Sequence, residues 1–273
     1  MGKDLIDVYN EVMNDIKNGY FVNKMGEEIP FLEIEDNKMS FSWSALDDEF
    51  LRSSFENPLI YVENRDFLNK GIELSGSATM ILNPASDIKA GGGVRTGSKA
   101  LEEIICRRSN LLQSLNKYAS SYTGNYTTPL QPGEGIVSQN VVVYKNVNYD
   151  NFEVGFPVNI FSSAAPRHPD LTASGKYTRG SENDMKDRIR SFFRVAIVYG
   201  KSKLVIPAWG CGAFGNPAAE VARCFDEVLH EDEFMKEFEE VCFAILDDHN
   251  AVRPDNPEGN YKPFLDRFGE KPY

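Results

Sequence analysis

Six short runs of β-branched and aliphatic residues recur along the chain, and most of what separates them has helical spacing. The runs are LIYVE (Leu59–Glu63), ATMILN (Ala78–Asn83), NVVVYK (Asn140–Lys145), FPVNIFSSA (Phe156–Ala164), KLVIPA (Lys203–Ala208) and VCFAILD (Val241–Asp247). Helical patterns cover Ser98–Leu115, Glu182–Tyr199 and Pro217–Leu229, and Tyr122–Gly135, rich in Gly, Pro, Thr and Tyr, reads as a loop. Strands alternating with helices predict an α/β fold: a three-layer α/β/α sandwich around a mixed, largely parallel sheet. Residues 1–57 read as a helical extension packing on the core formed by 58–273, one compact domain overall. Its helices are expected at Leu5–Lys17 and at SALDDEFLRSSF, Ser44–Phe55.

In such a sheet, ligands gather beyond the carboxyl ends of the strands. Two of those ends carry glycine-rich loops: NPASDIKAGGGVRTGSKALEE (Asn83–Glu103) and WGCGAFGNP (Trp209–Pro217). Gly92–Lys99 approximates the phosphate-loop pattern G-x-x-x-x-G-K-[ST], but Ser98 stands between Gly97 and Lys99. The lysine is out of register, which ranks an NTPase last. The physical logic survives: glycines let backbone approach a ligand, and a helix N-terminus behind them favours negative charge. Pro217 suits the first position of the helix after the second loop, whose backbone N–H groups can cradle a diphosphate. Either loop alone is as readily a tight turn. Two in one layer point to one anionic ligand.

With 41 acidic and 29 basic residues the net charge is −12, which argues against general nucleic-acid binding and against attraction to anionic membranes. A polyanion must therefore be held by local features. No apolar run approaches a bilayer span, and MGKDLIDVYNEVMNDIK is an amphipathic helix pattern rather than a signal peptide. The expectation is a cytoplasmic monomer, with secretion by a signal-less route left open. Cys106, Cys211, Cys224 and Cys242 form no C-x-x-C pair, so they are expected as reduced, mostly buried thiols. His168, His230 and His249 lack metal-ligand spacing and are expected at the surface; neither metal nor cofactor is expected.

Taken together, these segments resemble the microbial-type poly(ADP-ribose) glycohydrolases, a branch of the macrodomain fold. The resemblance rests on LNPASDIKAGGGVRTGSKALEEIICRRSNLLQSL (Leu82–Leu115), which is similar to the family's Asn-bearing strand end, triple glycine and Gln-Glu-Glu signature. VSQNVVVYK, VNIFSSAAP and WGCGAFGNP follow in the family's order, from about Leu59 to Asp247. It implies a metal-independent ADP-ribosyl glycohydrolase that cleaves the O-glycosidic bond of poly(ADP-ribose) or protein-linked ADP-ribose. Its partners would be ADP-ribose, the polymer and ADP-ribosylated proteins. By resemblance, Asn83 bonds the distal ribose, with the backbone of Gly91, Gly92, Gly93 and Val94 beside it. Glu103 becomes the acid/base and Glu102 its ribose-contacting neighbour. Gly210, Cys211, Gly212, Ala213, Gly215 and Asn216 would wrap the diphosphate, with Phe214 near the distal ribose. The chain departs from the pattern at Leu101 (for the signature Gln), Ala90 (for Pro) and Pro207 (for Gly). Two alternatives stay open: a non-catalytic ADP-ribose-binding module, with Leu101 marking lost turnover, and a mono-ADP-ribosyl-protein hydrolase.

The chemistry sets its own requirements. Cleavage at the anomeric carbon passes through an oxocarbenium-like state, so the leaving oxygen must be protonated and water supplied. One carboxyl can serve in turn as acid and base. Successive helical residues point about 100° apart, so Glu102 and Glu103 cannot serve the same atom. The stripe Leu101, Ile104, Ile105, Leu111, Leu112 and Leu115 leaves both glutamates outside it. Ser98 as N-cap and the helix dipole favour carboxylates in the first turn; a donor role then needs desolvation by bound ligand, or the ligand's own phosphates. Arg95 and Lys99 are placed to meet phosphates or solvent, and Asp247, Asp248 and Asn250 to reach an adenine edge or to solvate a strand end. HEDEFMKEFEE, from His230, reads as an acidic helix face.

Overall fold

The computed structural model describes residues 3–40, 54–247, 251, 256 and 258–271. The chain opens with α1 (Leu5–Asn18), which the Asp4 carboxylate caps by accepting from the Ile6 and Asp7 N–H groups, and which Gly19 ends in the left-handed region. A hairpin of β1 (Tyr20–Val22) and β2 (Glu28–Pro30) precedes β3 (Glu35–Ser40). Then follow β4 (Leu59–Glu63), α2 (Phe67–Glu73), β5 (Thr79–Pro84), a 3-10 turn (Val94–Thr96), α3 (Leu101–Arg108) and α4 (Leu112–Leu115). The second half holds β6 (Glu134–Lys145), β7 (Asn151–Ser163), α5 (Arg179–Val198), β8 (Lys203–Ile206), α6 (Ala218–Leu229), β9 (Glu240–Ala244) and α7 (Tyr261–Phe268).

Among the described residues, seven strands form one sheet in the order β3-β6-β7-β5-β8-β9-β4. The β3/β6 and β6/β7 pairs are antiparallel, and the other four pairs are parallel. Because side chains alternate along a strand, the central strands feed two cores. Met80, Leu82, Leu204, Ile206, Val241 and Phe243 pack with α5, α6 and Phe264 of α7. Ile81, Val205 and Cys242 point the other way, into a layer holding Leu68 of α2, Ile105 of α3, Leu112 of α4 and Tyr9 of α1. This is the expected three-layer sandwich. No helix among the described residues is long and apolar enough to cross a membrane.

Several local expectations need correction. Among the described residues of the N-terminal part, helix is found only at α1; residues 20–40 carry strands, and β3 is the edge strand of the main sheet. Each of the six residues of β3 pairs in register with one of β6, from Glu35 opposite Gln139 to Ser40 opposite Glu134. Most of the second N-terminal helix, and the positions Asp248, His249 and Asn250, lie outside the described residues. The helix expected over Ser98–Leu115 breaks after Arg108. Ser109 turns extended, Asn110 exchanges backbone and side-chain bonds with Val142 of β6, and α4 resumes at Leu112; short polar side chains here outcompete the helical ladder. Its N-cap is Ala100, without a side-chain bond, rather than Ser98. Pro217 is the N-cap of α6 rather than its first residue. Residues 231–239 form turns, not a helix: Glu231 and Glu233 reach back to Arg190 and Arg194 of α5.

Candidate active site

Strand β5 delivers Asn83, fully buried, to its carboxyl end, where Asn83 Nδ2 donates to Ser162 Oγ of β7 at 3.0 Å and Oδ1 has no partner. The chain then curls back as the first glycine loop, and α3 fastens it. Both glutamates, expected outside the apolar stripe of α3, are buried at 3% and 6% exposure. Glu102 Oε2 accepts from the Ser86 N–H (2.7 Å) and Oε1 from the Gly91 N–H (3.1 Å). Glu103 Oε1 accepts from the Gly93 N–H at 2.7 Å, whereas its Oε2 is buried without a partner. The two adjacent carboxylates thus do different work. Glu102 spends both oxygens on the loop; Glu103 keeps one in reserve. Burial pushes the Glu102 carboxyl well above the usual glutamate range; the Ser86 and Gly91 N–H groups oppose that shift and the Glu103 charge adds to it. Gly92, at φ +57°, fits because a Cβ there would lie 2.5 Å from Glu103 Oε1. The Val94 side chain belongs to the core, leaving only its backbone to the loop.

The second loop is held from beneath. Trp209, fully buried, donates from Nε1 to the Ser163 carbonyl at the end of β7. Asn216 Nδ2 donates to the carbonyls of Pro166 and Gly210, and its Oδ1 accepts from the Tyr177 hydroxyl. Cys211 is buried as well. Above these anchors Gly212 and Ala213 are exposed, and a Cβ at Gly212 would meet nothing within 4 Å. Arg167 lies over the Phe214 ring, 4.1 Å from its centroid, and also pairs with Asp87 of the first loop at 2.7 Å.

Between the loops runs a cleft of about 520 Å³. Pro84, Ala85, Lys99 and Leu101 form one wall, and Gly210, Gly212, Ala213 and Phe214 the other. Phe67, Ile245, Leu246 and Ala251 make an apolar end, with Asp66 and Asn260 beside it. Of the predicted site, then, the exposed half of the second loop lines the cleft directly. Asn83 directly precedes Pro84 of the wall; Gly91, Gly93, Glu102 and Glu103 are bonded together behind Ala85 and Leu101, while Cys211 and Asn216 lie under the second loop. Arg95 rests over the Tyr9 ring rather than in the cleft. Asp247 Oδ1 accepts from the Asn260 and Tyr261 N–H groups, which commits it to the start of α7.

Sequence reasoning missed Ser86, Tyr177, Arg107 and the Asp66–Arg108 pair (2.9 Å) that ties α2 to α3. Only Arg107 carried a signal, one helical turn after Glu103. The four cysteines are free and buried, and among the described residues no three His, Cys, Asp or Glu side chains are grouped to hold a metal.

No curated protein matches the chain in sequence. Among solved structures, poly(ADP-ribose) glycohydrolase from Thermomonospora curvata, bound to the inhibitor ADP-HPD, superposes with a TM-score of 0.75 at 22% identity, covering 97% of this chain and 99% of that one. The enzyme of the same name from Deinococcus radiodurans, in complex with ADP-ribose, gives a TM-score of 0.62 at 29% identity over 79% of this chain and 85% of that one. The model of the microbial-type PARG catalytic domain matches residues 10–146, half of the chain and all of the first glycine loop with its two glutamates. With both loops, the paired carboxylates and the sheet order in place, the chain belongs to the microbial-type poly(ADP-ribose) glycohydrolase family.

Proposed function

We propose that the protein hydrolyses the O-glycosidic bond at the ribose of poly(ADP-ribose) or protein-linked ADP-ribose, with Glu103 as acid and then base. The observation that carries the assignment is the division of labour on α3: both Glu102 oxygens are bonded to loop N–H groups, and Glu103 Oε2 is buried and unpartnered. A buried polar atom without a partner is rare in native proteins and costs free energy until something fills the role. The ligand seen in the D. radiodurans enzyme, ADP-ribose, suits the cleft. Its diphosphate would lie against Gly210–Phe214, its distal ribose toward Asn83 and Glu103, and its base in the apolar end beside Phe67 and Ile245. Glu103 would protonate the leaving oxygen as the anomeric carbon gains positive charge, then take a proton from the attacking water. Under this reading a monomer meets the polymer and ADP-ribosylated proteins.

The test is Glu103→Gln, which keeps shape but cannot carry the proton. Turnover on automodified polymer is expected to fall ~10²–10⁴-fold, with ADP-ribose still bound. Wild-type protein that binds ADP-ribose yet releases none from any linkage would instead identify a binding module.

A further inference from the structure

One turn beyond Glu103, the same helix carries a buried cation. Arg107 is fully buried, and among the described residues no carboxylate pairs with it. Its Nη2 donates to the Val94 carbonyl at 3.3 Å and its Nε to the carbonyl of Leu5, the first residue of α1, at 3.1 Å; Nη1 has no partner. Residues i and i+4 share a helix face, so one face of α3 holds two neighbouring backbone groups of the glycine loop: Glu103 the Gly93 N–H, and Arg107 the Val94 carbonyl. The same guanidinium reaches the start of α1.

Burying a guanidinium without a carboxylate is unfavourable, and an apolar side chain of similar volume is often as stabilising in such a place. Packing alone therefore does not account for an arginine here. We infer that Arg107 is a positioning residue for the hydrolysis: it clamps the Gly91–Val94 loop between α3 and α1, so that the loop holds the Glu103 carboxylate in its reactive place. The Leu5 carbonyl at the start of α1 is then the far anchor of that clamp. The inference rests on the proposed hydrolase activity.

Three full-length variants test it, assayed for kcat and KM on polymer and for ADP-ribose affinity by calorimetry. Arg107→Met, which keeps volume without charge or fork, is expected to lower kcat by about 100-fold, the effect of a misplacement near 1 Å. ADP-ribose affinity, carried mostly by the second loop, is expected to hold within about threefold. Arg107→Lys, with charge but no fork, is expected to recover part of kcat, and it carries the test if the methionine variant does not fold. Lys145→Met is the control. Lys145 Nζ holds Glu11 of α1 at 2.6 Å, away from the loop, and its loss is expected to leave kcat unchanged. Full kcat in both Arg107 variants would overturn the inference, as would an equal fall in affinity and kcat, or a Lys145→Met loss as large as that of Arg107→Met. A wild type that binds ADP-ribose without turnover would overturn the proposed activity, and this inference with it.

Discussion

Gly92→Ala separates the geometry of the acid from the stability of the loop that holds it. A Cβ at Gly92 would sit 2.5 Å from Glu103 Oε1, where ordinary contact begins at 3.4 Å, so the carboxylate must retreat by about 0.9 Å. That retreat stretches the 2.7 Å bond from the Gly93 N–H past useful length. Two costs follow. Alanine at φ +57° loses about 1–2 kcal/mol, and weakening a hydrogen bond to a charged group costs up to about 1.5–3 kcal/mol. At ~2–4 °C per kcal/mol for a chain of this size, the melting temperature should drop by roughly 5–20 °C. The catalytic cost is separate: a displacement near 1 Å at the reacting group lowers kcat by about 100-fold. Gly97→Ala is the control. It has the same left-handed backbone (φ +83°), but its nearest neighbour is Ile6 Cγ1 at 3.7 Å. It should melt lower yet turn over normally. The assay is release of ADP-ribose from automodified polymer at saturating substrate, with circular dichroism to confirm folding. A folded Gly92→Ala protein with wild-type kcat would refute the placement of Glu103 at the chemistry.

Gly212→Val should abolish ADP-ribose binding without lowering the melting temperature, because the open space its side chain enters belongs to the cleft; retained affinity in calorimetry would show that the loop does not meet the ligand. Glu102→Gln tests the buried staple through pH. The folded state raises the Glu102 carboxyl well above its ordinary value, so the native protein keeps a proton that the unfolded chain releases near 4.3. Stability from this group is therefore present below that value and is lost as pH rises toward the raised folded one. The stability advantage of wild type over Glu102→Gln should shrink as pH rises from about 4.3, and a gap that widens in chemical denaturation would contradict the shift.

The layers and the parallel centre of the sheet were legible because β5, β8 and β9 are short apolar runs closed off by helices with clear stripes, such as Val221, Cys224, Phe225 and Val228 on α6. β3 was not, because EDNKMS carries almost no apolar alternation; it owes its state to the exposed edge of β6, a tertiary cause. α2 and α7 were missed for a similar reason: each is short, and α2 includes Gly71. At the site, the glycine loops and glutamates announced themselves, but their roles did not. That both Glu102 oxygens are bonded while one Glu103 oxygen is not depends on where Ser86, Gly91 and Gly93 return in space, which spacing along a helix does not encode. Asn216 belongs to the same group. The family resemblance implied a ligand contact for it, while its amide is engaged with Pro166, Gly210 and Tyr177.

The placement of β4 has a consequence for how the protein comes into being. β4 sits at the sheet edge and pairs with β9, so Leu59 must wait for Glu240, roughly 180 residues later in the chain. At about 5–20 residues per second, a ribosome needs on the order of 10–35 s to supply that partner. Until then Tyr61 and Val62, both fully buried at the end of folding, have no sheet to join, and such waiting apolar segments are what chaperones engage. The apolar end of the cleft draws on both segments, with Phe67 following β4 and Ile245 following β9. The cleft is therefore completed only after the segment following β9 has been made, and until then no molecule bound there can stabilise the nascent chain.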